Sequence, residues 1–267
     1  MKRIEGVIFD WAGTTVDYGC FAPVKVFLDI FKDKGIEPTI EEARGPMGML
    51  KIDHVIAMLS VERISNLWKE KYGRNWNEDD VNLLYFNFEK QLFEILPDFT
   101  TPVPGILELI KRLRQKGLKI GSTTGYTRKM MDIVEKHAKE KGYSPDFLST
   151  PSNQPAGRPH PYMILENMKV LKLNNPECVI KVGDTVSDIK EGVNAKCWSV
   201  GILKGSSELG LTEEEVINMP KDELNEKLEV VRRRFLDNGA HFIIEEVGCL
   251  DEIINQINEK LLRGERP

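Results

Sequence analysis

Gly6-Val7-Ile8-Phe9-Asp10-Trp11-Ala12-Gly13-Thr14-Thr15 sets four apolar residues directly before an aspartate and a turn-prone stretch. Such a run reads as a strand buried on both faces, with Asp10 presented at its carboxyl end. The design recurs at Leu118-Lys119-Ile120-Gly121-Ser122-Thr123-Thr124 and at Cys178-Val179-Ile180-Lys181-Val182-Gly183-Asp184. Amphipathic segments of helical periodicity precede them, at about 106–116 and 162–173. Further strands are expected at 146–148, 198–202 and 240–244, and a closing helix over about 250–262. Alternation of this kind predicts an α/β fold, a Rossmann-like parallel sheet core with helices on both faces.

Residues from about 18 to 99 break the pattern. They lack strand signals and show helical periodicity in 24–34, 61–71 and 81–96. This predicts a small helical cap domain inserted after the first strand. The expected division is a core of 1–18 and 100–267 and a cap of 19–99. A chain of 267 residues suits one core with a smaller insertion.

Composition narrows the class. The apolar share is 41%, charged residues make up 30% and the formal net charge is -5. That is the profile of an ordinary globular protein and gives no sign of a nucleic-acid binder. The apolar run after Met1-Lys2-Arg3-Ile4-Glu5 is too short for a signal peptide or membrane span, so no membrane association and a cytoplasmic location are expected. Cys20, Cys178, Cys197 and Cys249 have neither zinc-site spacing nor disulfide density, and read as reduced thiols.

In open parallel sheets, ligands bind outside the carboxyl ends of the strands. Three strands here end in polar groups: Asp10, Thr123-Thr124 and Asp184. Two carboxylates at adjacent strand ends repel unless a cation lies between them, and hard oxygen ligands beside a phosphoryl group suit Mg²⁺. The cation would also cancel the charge that keeps one anion from attacking another. Thr124 and the backbone N–H of Gly125 could hold phosphoryl oxygens, with Arg158 as a clamp. Singly, each residue has a plainer reading as helix cap, turn former or solvated cation; together, in this order, they point to attack by Asp10 on phosphorus.

With those motifs in place, the chain resembles the haloacid dehalogenase superfamily along nearly its whole core. The resemblance implies Asp10 as nucleophile, Thr124 as the second-motif hydroxyl and Arg158 as the third-motif cation. It implies Asp184 as metal ligand and Asp188 as a supporting acid. Ala12 departs from the superfamily's phosphatases, which carry a second aspartate two residues after the nucleophile to protonate a leaving alkoxide. A methyl group cannot do that; only the Ala12 backbone carbonyl remains, as a further metal ligand.

Within the superfamily, Asp-x-Ala-Gly-Thr-Thr-Val-Asp with a helical insertion resembles the phosphonoacetaldehyde hydrolase (phosphonatase) family. Cys20-Phe21-Ala22-Pro23, the stretch from Pro46 to His54, Gly121 to Arg128 and Gly205 to Leu211 also look like that family. Breaking a carbon–phosphorus bond requires an electron sink on carbon, and a lysine imine supplies one. The resemblance assigns this role to Lys51. His54 lies three residues on, a spacing that on a helix puts both side chains on one face, where His54 could relay protons, and Met47 and Tyr126 could line the same pocket, one from each domain. The apolar neighbours of Lys51 would lower its pKa from about 10.4. The implied activity is hydrolysis of phosphonoacetaldehyde to acetaldehyde and phosphate, in 2-aminoethylphosphonate degradation, by a homodimer. Two alternatives stay open: a phosphatase or mutase acting on a small phosphate ester, and a non-catalytic phosphate sensor. Cys20 reads as structural.

Overall fold

A computed structural model describes residues 2–267. Six strands form one parallel sheet: β1 (Gly6–Phe9), β2 (Lys119–Thr123), β3 (Phe147–Ser149), β4 (Val179–Gly183), β5 (Trp198–Ile202) and β6 (Phe242–Ile244), in the order β3-β2-β1-β4-β5-β6. The chain builds outward from β1 to β3, then returns to β4 on the other side of β1. The order therefore reverses between β1 and β4, and the crevice at such a switch point is where α/β sheets bind ligands. Asp10 and Asp184 are the residues that follow these two strands.

Among the described residues the chain also forms twelve helices: α1 (Phe21–Lys32), α2 (Ile40–Arg44), α3 (Lys51–Leu59), α4 (Glu62–Tyr72), α5 (Glu78–Ile95), α6 (Ile106–Gln115), α7 (Arg128–Glu140), α8 (Tyr162–Leu171), α9 (Val186–Asn194), α10 (Glu213–Asn218), α11 (Lys221–Asp237) and α12 (Leu250–Leu262). β1 is buried throughout, and its side chains alternate between two apolar clusters. Val7 and Phe9 join Ile106, Leu109, Leu113, Ile253 and Ile257 from α6 and α12. Ile8 joins Ile164 and Met168 from α8. Helices thus cover both faces, as a period of two in a doubly buried strand demands. No described helix is long and apolar enough to cross a membrane.

Between β1 and α6 every regular element is helical, from α1 to α5 and a short 3₁₀ turn at Leu96–Phe99. Its interior is aromatic: Phe27 of α1 stacks on Phe88 of α5 at 4.2 Å between ring centroids and on His54 of α3 at 3.8 Å. α1 starts at Phe21, three residues before the periodic stretch. Asp17, outside the helix, accepts from the N–H groups of Phe21 (3.1 Å) and Ala22 (3.2 Å) and so satisfies its first turn.

The strand expected over 178–184 spans Val179–Gly183, because Pro176–Cys178 forms a 3₁₀ turn. That expected over 240–244 is Phe242–Ile244, because the Ala240 N–H turns back to the Phe235 carbonyl at the end of α11. α9 opens with a capping box: Thr185 Oγ1 accepts from the Asp188 N–H, and Asp188 Oδ2 accepts from the Thr185 N–H, both at 3.2 Å.

The stacked Phe27–Phe88 pair sits at the centre of the helical segment. Phe88→Ala is expected to cost about 3–5 kcal/mol, measured as a lowered urea midpoint; a loss below about 1 kcal/mol would show that this contact does not hold the helices together.

Candidate active site

Asp10 is 5% exposed, and its N–H bonds the Val182 carbonyl at 2.9 Å, so the end of β1 is tied to β4. Asp184, fully buried, is held through both oxygens: Thr14 Oγ1 donates to Oδ1 (3.0 Å) and the Ser207 N–H to Oδ2 (2.8 Å). Gly13 lies beside it at φ +88°, where a Cβ would come within 2.1 Å of Asp184 Oδ2, so the turn after β1 requires glycine on both counts. Asp188 completes the group. Oxygens of Asp10, Asp184 and Asp188 lie within 4.8 Å of one another.

Two buried cations sit behind these acids. Arg158 reaches Asp10 (Nη2 to Oδ1, 2.6 Å), Asp188 (Nη1 to Oδ1, 2.9 Å) and Glu191 (Nε to Oε2, 2.9 Å). Lys181, in mid-β4, reaches Asp188 (2.8 Å) and Glu191 (3.3 Å). Thr123 Oγ1 joins them, accepting from Arg158 (2.6 Å) and Lys181 (2.9 Å) and donating to Glu191 (3.0 Å). Lys181 and Glu191 are functional-site residues that the sequence reading missed. Their signals were a lone charge inside the apolar run of β4 and a carboxylate three residues after Asp188, on the same face of α9.

The acids differ in electrostatic state. Burial pushes Asp184 well above the usual carboxylate range, and the neighbouring Asp10 and Asp188 push it further. Burial also raises Asp10, opposed by the Arg158 guanidinium. For Asp188 burial is outweighed by Arg158 and Lys181, and its carboxyl lies below the usual range. Asp10 and Asp184 thus form an under-neutralised pair, which is the arrangement a divalent cation relieves. The Ala12 carbonyl accepts no hydrogen bond among the described residues, and Ala12 lines a cavity together with Asp10, so this carbonyl suits the remaining donor.

A narrow cavity between the core and the helical segment joins Asp10, Ala12, Thr124, Gly125, Tyr126 and Arg158 to Cys20, Met47 and Lys51. Lys51, 3% exposed, is the first residue of α3. Its ammonium lies 5.2 Å from the Tyr126 ring centroid and 5.9 Å from that of Phe27. Burial lowers the Lys51 pKa, and the positive end of the α3 dipole acts in the same direction. The Tyr126 N–H donates to Thr124 Oγ1 (3.1 Å), while the Gly125 N–H has no partner among the described residues. The two sides meet closely: a Cβ on Gly125 would stand 2.5 Å from the Met49 carbonyl. Ser187 Oγ donates to the Met47 carbonyl at 3.1 Å.

His54 does not line this cavity. It sits one turn along α3, stacked on Phe27, and its Nε2–H donates to the Ala43 carbonyl (2.9 Å), leaving Nδ1 without a partner. Burial and the Lys51 charge hold its pKa well below the ordinary value, so the ring is neutral. Burial pushes the Cys20 thiol well up, as does nearby Asp17; such a thiol is inert as a nucleophile.

Comparison with known proteins follows the same lines. A family model described as haloacid dehalogenase-like hydrolase matches residues 4–196. A phosphonoacetaldehyde hydrolase of Bacillus cereus (strain G9842) is 57% identical over 260 residues, covering 97% of this chain and 98% of that one. A bifunctional phosphonoacetaldehyde hydrolase/aminoethylphosphonate transaminase of Clostridioides difficile (strain 630) is 55% identical over 264 residues; the match takes in 99% of this chain and 42% of that longer protein. The crystal structure of a phosphonoacetaldehyde hydrolase like protein from Oleispira antarctica superposes with a TM-score of 0.96 at 38% identity, covering 99% of this chain and 96% of that one.

Because Asp10 and Asp184 bind protons more readily folded than unfolded, they favour folding of the metal-free protein at low pH. This contribution fades as pH rises through their raised pKa values. A divalent cation displaces those protons, so its stabilising effect should grow as pH rises through their raised pKa values and reach about 2.7 kcal/mol at a hundredfold excess over Kd. Thermal unfolding with and without Mn²⁺ measures it. Asp184→Asn should lose this cation-dependent gain; a full gain retained there would exclude Asp184 as a ligand.

Proposed function

The chain belongs to the phosphonoacetaldehyde hydrolase family of haloacid dehalogenase-like hydrolases, and we propose that it cleaves the carbon–phosphorus bond of phosphonoacetaldehyde with water, releasing acetaldehyde and phosphate. The observation that carries this reading is Lys51, buried and turned toward the same cavity as Asp10 although it comes from a different part of the fold. A phosphate ester needs no amine there. It does need a proton donor to its leaving oxygen, and Ala12 offers none.

The Lys51 amine, its pKa lowered, condenses with the aldehyde and expels water to form a protonated imine. Asp10 attacks phosphorus, the carbon–phosphorus bond breaks, and its electron pair moves into the imine to leave a neutral enamine. Arg158, the Gly125 N–H and Thr124 orient the phosphoryl oxygens. Mg²⁺ held by Asp10, the Ala12 carbonyl and Asp184 would cancel the repulsion between carboxylate and phosphonate. Asp188, fixed by Arg158 and Lys181, keeps those cations in register. Water releases phosphate from Asp10; protonation of the enamine at carbon and hydrolysis return acetaldehyde and free Lys51.

His54, neutral and with Nδ1 free, is our candidate for passing protons to and from Lys51. Met47 and Tyr126 supply apolar walls that keep the amine dry. The fusion of the Clostridioides difficile relative to an aminoethylphosphonate transaminase supports a place in 2-aminoethylphosphonate degradation, in which transamination supplies the aldehyde. As a homodimer, the protein would use the exposed apolar Leu83 and Phe86 of α5.

Borohydride added with phosphonoacetaldehyde should reduce the imine and leave a mass adduct that maps to Lys51, while Lys51→Arg should give no adduct and no turnover. Active wild-type protein that yields no adduct, or faster turnover of simple phosphomonoesters than of phosphonoacetaldehyde, would reject the mechanism.

A further inference from the structure

Arg44, the last residue of α2, crosses from the helical segment to the core. Its Nη1 donates to the carbonyls of Gly19 (2.9 Å) and Ser207 (3.0 Å) and approaches Ser207 Oγ at 3.3 Å. The guanidinium lies over the Phe21 ring, 5.0 Å from its centroid. Gly210 leaves the slot open for it, since a Cβ there would stand 2.9 Å from Arg44 Nε. Ser207, 1% exposed, therefore accepts from Arg44 at its carbonyl while its N–H donates to Asp184 Oδ2 at 2.8 Å.

The loop between these contacts is braced. Ser206 Oγ donates to the Leu203 carbonyl (2.6 Å) and accepts from the Leu209 N–H (3.0 Å), and the Gly210 N–H donates to the Ser206 carbonyl (3.0 Å). Glu208 accepts from the Val186 N–H at 3.3 Å, which ties the loop to the start of α9. A displacement of Arg44 thus cannot be absorbed in slack backbone before it reaches Ser207.

We propose that Arg44 is a positioning residue: by gripping Ser207 and Gly19 from the cap side, it holds the Ser207 N–H on Asp184 and so makes the cation-binding geometry of Asp184 depend on closure of the cap. The Asp184 carboxylate is then fully oriented when the segment that carries Lys51 is seated, which ties preparation of the phosphoryl-transfer half of the site to arrival of the amine. This inference rests on the reading that Asp184 holds a divalent cation and does not depend on the identity of the substrate.

The sign of the effect separates this role from simpler ones. If Arg44 acted on the site through charge alone, removing it would strengthen cation binding, because a positive neighbour would be gone. If it only packed the cap, removal would lower the unfolding temperature and leave cation affinity unchanged. The proposal requires weaker binding.

The test is titration of Mn²⁺ without substrate, followed by electron paramagnetic resonance, beside thermal unfolding. Arg44→Ala should weaken Mn²⁺ binding about 3- to 10-fold, less than the 10- to 100-fold typical of a group bonded directly to a metal ligand. Arg44→Lys keeps the charge but loses the planar guanidinium whose Nη1 reaches both carbonyls while stacked on Phe21, and should weaken binding as well. It also decides the matter if Arg44→Ala does not fold. Unchanged or tighter Mn²⁺ binding by a folded variant, beside normal binding by the wild type, overturns the coupling alone. Absence of Mn²⁺ binding by the wild type overturns the cation site and the coupling together.

Discussion

Charge balance at the tips of β1 and β4 is the constraint on which the site turns. Asp10, Asp184, Asp188 and Glu191 are buried together with Arg158 and Lys181, four carboxylates against two cations, so full ionisation leaves a formal -2. Burying unpaired charge is too costly to leave uncompensated. The cluster divides accordingly. Asp188 and Glu191 take the contacts to Lys181 and most of those to Arg158, while Asp10, which lines the cavity, and the buried Asp184 keep raised proton affinity. A divalent cation matches the deficit in sign and size. The network behind the acids thus sets where a divalent cation would sit as well as how Asp10 points.

That constraint also explains why the capping box of α9 matters. Asp188 uses Oδ2 to close the first turn of the helix and Oδ1 to meet both cations, so helix start and charge network share one side chain. A change there would unfasten local structure and electrostatics at once. Thr123, between Arg158, Lys181 and Glu191, performs the corresponding service at the end of β2.

The helical segment contributes what the sheet cannot. Strand tips on a parallel sheet offer carboxylates, hydroxyls and backbone donors in a polar setting, which would keep an amine protonated. Lys51 instead stands at the start of a helix, against the rings of Phe27 and Tyr126, where burial and the helix dipole both disfavour its charge. Close seating of the two surfaces requires bare backbone on each side, and Gly48 and Gly125 meet that requirement.

Much of this was legible along the chain. Buried strands carry a local signature of apolar runs, and residues immediately after them stand at strand ends whatever the remainder of the fold does; that is why Asp10, Thr124 and Asp184 could be placed together. Ala12 spoke through a missing functional group, which needs no coordinates. Resemblance, not periodicity, pointed to Lys51. The partnerships of Lys181 and Glu191 were not legible, because they depend on β4 lying beside β1 and on which face of α9 turns inward. Nor was the commitment of His54 Nε2 to the Ala43 carbonyl, or the chain of contacts from Arg44 through Ser207 to Asp184. Such contacts join residues up to 163 positions apart. Local sequence determines which elements form and what chemistry their ends carry; long-range packing alone decides which charges become neighbours, since that choice is made by the shape of the assembled interior.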